Sequence, residues 1–197
     1  MSQPATLEAH HHDGPGTDVF GFWIYILTDC VLFGSLFATF IVLNYPGAYG
    51  PQLKEFIQLP YVLTETFLLL GSNFTFGLAM MTFYKRKMAW SKLFLLLTII
   101  LGAGFVLMEI NEFYHFVHEG YSWQVSGAAS AFYGLVATHG LHVSVGLLWI
   151  LVMIIQLSVT KNVRLNEKRM IMLGIFWNFL DIVWIFVFTT VYLQGAL

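Results

Sequence analysis

At 197 residues, 58% of them hydrophobic and only 10% charged, with a mean hydropathy of +0.74, the chain carries well under half of the roughly 25% charge typical of a soluble domain. That deficit excludes a water-soluble globule and makes lipid the solvent for most of the chain. A net charge of −2 without a basic face excludes a nucleic-acid partner.

Residues 1–19 are polar, with His10, His11 and His12 followed by Gly14-Pro15-Gly16, and they lack Lys, Arg and any apolar centre. They do not read as a cleavable signal peptide. The composition predicts a disordered tail, and three adjacent imidazoles without further ligands at fixed spacing do not specify a metal site.

A bilayer core about 30 Å thick needs roughly 20 apolar residues at a rise of about 1.5 Å each. Five stretches meet that length, so residues 20–197 are expected to form one all-α domain, a bundle of five transmembrane helices. The first runs from Phe20 to Leu43 and holds Asp29 and the only cysteine, Cys30. Cys30 can form no intrachain disulfide and reads as a small buried packing residue. A turn-rich loop with Pro46, Gly47, Gly50 and Pro51 leads to the second span, Pro60 to Tyr84, which holds Glu65. The basic segment Lys85 to Lys92 precedes the third span, Leu93 to Phe116. There Glu109, Glu112, His115 and His118 follow at steps of three, a polar ridge near one end.

The short segment Glu119 to Gly127 leads to the fourth span, Ala128 to Ser158. Its Ser130, Gly134, Ala137, Gly140 and Ser144 make a stripe of small residues on which another helix can approach closely, and Gly102-Ala103-Gly104 gives the third span a similar notch. A second basic segment, Thr160 to Arg169, precedes the fifth span, Met170 to Leu193, with Asp181 and Trp184. Trp23, Trp90, Trp123, Tyr84 and Tyr192 lie near span ends and fit interfacial anchors.

Charge sets the expected topology. With five spans, the N-terminal tail and the second and fourth loops share one side and carry eight of the nine basic residues. Only Lys54 falls on the other side. The positive-inside rule then places the N-terminus in the cytoplasm and the C-terminus in the periplasm.

No Lys or Arg interrupts a span, yet Asp29, Glu65, Glu109, Glu112 and Asp181 do. An acid near the centre of a membrane helix costs about 2.5–3.5 kcal/mol, so each is expected to face protein or water. Tyr25 and Tyr61 stand four residues before Asp29 and Glu65, where each phenol can lie beside its carboxyl. Trp177, Asn178 and Trp184 can surround Asp181 in the same way. Glu109 and Glu112 are too close to ionise together cheaply, so at least one is expected to stay protonated. Asp29 and Asp181 both fall about 14–17 Å from the cytoplasmic face and could meet each other or a neighbouring subunit.

His115 and His118, and His139 and His142, form two H-x-x-H pairs. Imidazole ligates iron and haem, but a di-iron membrane enzyme would bring more histidines, so hydrogen-bonding roles within the bundle are preferred. There is no nucleotide loop, nucleophile elbow or Cys-x-x-Cys. No catalytic site is expected in the isolated chain.

Several segments now carry a resemblance. Leu101-Gly-Ala-Gly-Phe-Val-Leu-Met-Glu-Ile-Asn-Glu-Phe113, Ala137-Thr-His-Gly-Leu-His-Val143, Phe176-Trp-Asn-Phe-Leu-Asp-Ile-Val-Trp184 and Val191-Tyr-Leu-Gln-Gly195 resemble motifs of subunit III of the haem-copper oxidases. So do Gly21-Phe-Trp-Ile-Tyr-Ile-Leu-Thr-Asp-Cys-Val-Leu-Phe33 and Glu65-Thr-Phe-Leu-Leu-Leu70. The resemblance runs in order from about Phe20 to the C-terminus. Two features are similar to the quinol-oxidising branch, of the cytochrome o (bo) type. The chain starts at the equivalent of the third helix of seven-helix relatives, and Glu109 stands where cytochrome c oxidases usually carry glutamine. Asn178 departs from the family, which usually has histidine there.

The resemblance implies an accessory subunit of a proton-pumping quinol:oxygen oxidoreductase in the bacterial cytoplasmic membrane, without cofactors of its own. Haem and copper would reside in the catalytic subunit I, with subunit II and a small subunit IV as further partners and phospholipid in a cleft between helices. Asp29 corresponds to the family's buried carboxyl of the first shared span. It and the other buried polar residues (Glu65, Glu109, Glu112, His115, His139, His142, Asp181 and Trp184) would support proton uptake or contact subunits and lipid. Two rival readings stand beside this one. A small proton-coupled transporter would use Asp29 and Asp181 as a relay, although the chain shows no internal repeat or broken helix. A standalone metal-dependent oxidase would use the H-x-x-H pairs.

Overall fold

The computed structural model describes residues 17–44, 58–159 and 163–193. The His10–His12 cluster, the Pro46–Pro51 turn, Lys54, Lys161 and the terminal Gln194-Gly195 lie outside the described residues. Five long helices form: α1 Thr17–Leu43, α2 Leu59–Tyr84, α3 Met88–His118, α4 Gly127–Val159 and α5 Val163–Val187, the last continuing as a π-helical turn over Phe188–Leu193. Each is long and apolar enough to cross a membrane. Helix is the structure such runs must adopt, because in hydrocarbon each backbone N–H and C=O has to be satisfied within its own segment.

The helices overrun the expected spans at the basic ends. α3 starts at Met88 and α5 at Val163, so Lys92, Lys168 and Arg169 sit on helices rather than in loops. Three residues join α2 to α3, and this reversal holds Arg86 at φ +60° while Lys87 N–H donates to Thr82 O at 3.0 Å. α3 ends the same way with a residue suited to it. Gly120 takes φ +93° and Tyr121 N–H donates back to Phe116 O at 2.8 Å, a glycine-capped Schellman-type close. The π turn coincides with two hydroxyls that bond back to helix carbonyls, Thr189 to Ile185 O at 2.8 Å and Thr190 to Phe186 O at 2.7 Å. Its wider winding turns Val191 and Tyr192 fully inward.

α2 and α3 form a tight hairpin, α4 packs on α3, α5 and α1, and α5 also touches α2. α1 rests chiefly on α4 and α5 and leaves most of its perimeter outward, with Val31 74% and Val42 70% exposed. Hydroxyls bind the hairpin, with Thr75 and Thr98 at 2.9 Å and Ser91 donating to Ala79 O at 3.0 Å. Lipid tails are as apolar as leucine, so van der Waals fit holds the rest together. Trp177 shows that fit: its ring lies between Gly102 of α3 and Gly146 of α4, and a Cβ at either glycine would meet it at 3.3 and 2.8 Å. The small stripe of α4 therefore divides. Gly140 packs inward, whereas Gly134 and Ala137 are exposed. Cys30, expected to be buried, is exposed on α1 in a groove against α5.

Candidate functional site

The acids of the second and third spans come together. Glu65 lies about 9 Å into α2 from its start, and Glu112 and Glu109 lie about 9 and 14 Å from the end of α3, all toward the end of the bundle away from the α2–α3 turn. All three are buried and within electrostatic reach of one another. The Tyr192 hydroxyl donates to Glu112 Oε2 at 2.7 Å, whereas among the described residues neither carboxyl oxygen of Glu65 or Glu109 has a hydrogen-bond partner. Tyr192 is thus no interfacial anchor but a fully buried donor. Glu109 fits because its carboxyl lies against the backbone of Gly140.

Deeper in, His139 is fully buried, with Trp184 stacked on it at 5.3 Å and the rings of Phe105 and Phe33 edge-on at 5.9 and 6.3 Å. Neither imidazole nitrogen has a protein partner. Trp184 Nε1 donates to Thr66 Oγ1 of α2 at 3.0 Å, so this indole ties α5 to α2 instead of serving Asp181.

The two mid-depth aspartates belong to different interfaces. Asp29 of α1 meets His142 of α4, with Oδ2 3.8 Å from Nε2, while His142 Nδ1 lies 2.7 Å from Thr138 O. Asp181 of α5 accepts from Asn73 Nδ2 of α2 at 3.0 Å. Of the donors expected one turn away, Tyr25 does hydrogen-bond with Asp29, whereas Asn178 donates to Gly174 O and Tyr61 donates to Met108 O instead of reaching Glu65.

The polar ridge of α3 does not stay on one face. A step of three residues falls about 60° short of a full turn, so a ridge that is buried at Glu109 and Glu112 emerges by His115 and His118. His115, expected to be buried, is 45% exposed and pairs with Glu119 at 3.2 Å. The two H-x-x-H pairs consequently part company, and among the described residues no three His, Cys, Asp or Glu side chains converge as metal ligands. Just beyond α3, burial and the neighbouring Tyr133 push the Tyr121 phenol up to about 12. Asn73, Thr66 and Tyr192 were missed as partners. A lone asparagine in an apolar run was the available signal for Asn73, and for Thr66 there was none.

A family model described as cytochrome c oxidase subunit III matches residues 1–196. The chain belongs to the cytochrome c oxidase subunit III family. Subunit III relatives in quinol oxidases are similar along nearly the whole length. Cytochrome bo(3) ubiquinol oxidase subunit 3 of Pseudomonas aeruginosa is 52% identical over 188 residues, 95% of this chain and 90% of the relative. That of Pseudomonas putida is 48% identical, over 94% and 90%. Quinol oxidase subunit 3 of Bacillus subtilis is 42% identical, over 90% and 87%. The haem-copper oxidase resemblance and its bo-type affinity, read from motifs on every span, are borne out. In this family subunit III is the non-catalytic member.

Proposed function

We propose that this chain is the accessory, cofactor-free subunit III of a proton-pumping quinol:oxygen oxidoreductase, a terminal oxidase of aerobic respiration. It stabilises the catalytic subunit I and supports its proton uptake, in company with subunit II and a small subunit IV. The observation that carries this reading is the near full-length match to subunit 3 of a cytochrome bo(3) ubiquinol oxidase. In the bacterial cytoplasmic membrane where such an oxidase works, the eight-to-one split of basic residues supports an orientation with the N-terminus inside and the C-terminus in the periplasm, residues 1–19 being a tail whose last three residues already belong to α1 of the five-helix domain. Haem and copper then belong to the partner subunit. The apolar groove of about 630 Å³ between α1 and α5, lined in part by Trp23, Phe33, Phe179 and Phe186, suits a phospholipid chain.

Asp29 is the acid we assign to proton-uptake support. It sits on α1, the helix that this bundle covers least, with Tyr25 of the same helix hydrogen-bonded to its carboxyl and His142 Nε2 3.8 Å from its Oδ2. Purification from native membranes should bring haem-bearing partners with the chain. Asp29→Ala should leave the complex assembled but lower turnover, pumping ratio or operational lifetime. Recovery of the chain without haem-bearing partners, or all three quantities unchanged in Asp29→Ala, would defeat the reading.

A further inference from the structure

The assignment of Asp29 leaves unused three acids that lie nearer the opposite end of the bundle. We propose that Glu65, Glu109 and Glu112 form a proton-exchange site that reaches water through a polar pocket between α2 and α3, separate from the Asp29 region. The pocket, of about 240 Å³, is lined by Gln58, Tyr61, Asn111, Glu112, His115 and Phe116. Water occupies about 30 Å³ per molecule, so several fit. Glu112 is the link. It lines the pocket, and its carboxyl also lies within electrostatic reach of Glu65.

Geometry makes the pocket a conduit for protons. Its walls are polar and can hold water: Gln58 Nε2 lies 3.4 Å from His115 Nε2, and separately Asn111 Nδ2 donates to Tyr61 Oη at 3.2 Å while Tyr61 donates to Met108 O at 2.9 Å. Inside, the four carboxyl oxygens of Glu65 and Glu109 have no hydrogen-bond partner among the described residues and are buried. A polar group left unsatisfied in an apolar medium costs several kcal/mol, a cost that water entering from the pocket removes. The charge must also be met. No Lys or Arg lies in α2, and those of α3 and α5 (Lys92, Arg164, Lys168 and Arg169) fall at the far ends of their helices. Among the described residues the other ionisable groups facing the cluster and its pocket are Tyr192 from the π turn, Tyr133 from α4, Tyr61 from α2 and His115 from α3. In each exchange a carboxyl O–H bond breaks, its proton leaves on water, and the same oxygen takes a proton from the solvent chain.

Infrared spectroscopy of the complex purified from membranes tests this. Protonated-carboxyl bands that vanish in Glu65→Gln, Glu109→Gln or Glu112→Gln identify the site, and transfer into D2O should shift them. Asn111→Leu and Gln58→Leu, one plug on each side of the pocket, should each slow that shift by about tenfold or more. A plug that merely loosened the fold would speed exchange, so slowing cannot arise from misfolding. The proposal is overturned if no band is lost in any Gln variant, if the assigned bands fail to shift in the unmodified protein, or if both plugged proteins exchange as fast as it does. None of these results depends on whether Asp29 supports proton uptake.

Discussion

The Glu109 carboxyl rests on the Cα of Gly140: a Cβ placed there would lie 2.5 Å from both carboxyl oxygens. A buried acid on α3 is thus admitted by a missing side chain on α4. Gly140→Ala should drive the carboxyl from its place and lower stability by about 1–3 kcal/mol, the usual cost of overpacking. Gly77→Ala is the control, since nothing lies within 4 Å of its added Cβ and the helix should gain up to about 1 kcal/mol from lost backbone freedom. Thermal unfolding of the two purified variants checks the pair, and equal melting temperatures would contradict it.

Two further glycines face obstacles of different stiffness. A Cβ at Gly146 meets the buried Trp177 ring at 2.8 Å, and one at Gly174 meets the Met80 terminal methyl at the same distance and the buried Phe76 ring less tightly, at 3.2 Å. An indole fixed on both sides cannot yield, whereas an unbranched thioether swings aside. Gly146→Ala should therefore cost about 1–3 kcal/mol and Gly174→Ala less than that, since only the Phe76 ring resists and at the longer distance. Denaturant midpoints in matched detergent separate the two.

These glycines show what the sequence could and could not disclose. Span number followed from apolar run length, which a bilayer fixes, and the family followed from motifs in register on every span. Partner choice did not. Asp181 and Tyr61 were assigned by proximity along one helix and Tyr192 as an interfacial anchor, yet their hydrogen bonds cross between helices. Which way a helix faces depends on its neighbours, and a weak apolar pattern in a membrane span gives no hint of rotation. The stripe on α4 failed for a related reason: a row of small residues predicts close approach, but not that Gly140 faces an acid while Gly134 is exposed.

The Asn73–Asp181 bond of 3.0 Å joins α2 to α5 and offers a direct test of cross-helix donation. Asp181→Asn keeps an acceptor for the Asn73 amide and should retain the cross-helix hydrogen bond. Asp181→Leu strips the acceptor and leaves that amide unmet. Interhelical hydrogen bonds in membranes average about 0.6 kcal/mol and reach about 1.7, so a loss of about 1 kcal/mol is expected. A double-mutant cycle with Asn73→Leu should return a coupling of similar size. A coupling of zero would mean that the pair contributes nothing to packing α2 against α5.

Alkaline pH should probe the connection between α3 and α4. Tyr121 lies outside the spans, fully buried, and its ring packs on Phe116 and Phe132 while its carbonyl accepts the Tyr133 hydroxyl at 2.7 Å. Burial first, and Tyr133 second, raise its phenol from 10.0 to about 12 in the folded chain. An unfolded chain gives up this proton at lower pH than the folded one. The stabilisation is therefore complete below about pH 10 and is lost as pH climbs through about 12. At roughly 1.4 kcal/mol per unit of difference, the loss is on the order of 2–3 kcal/mol. Tyr121→Phe removes this titration while preserving most of the packing, so across that window the unsubstituted protein should lose stability relative to the variant by about that amount. A gap in stability between the two that stays constant from neutral pH to pH 12 would show that the phenol is not protected from ionising by the fold.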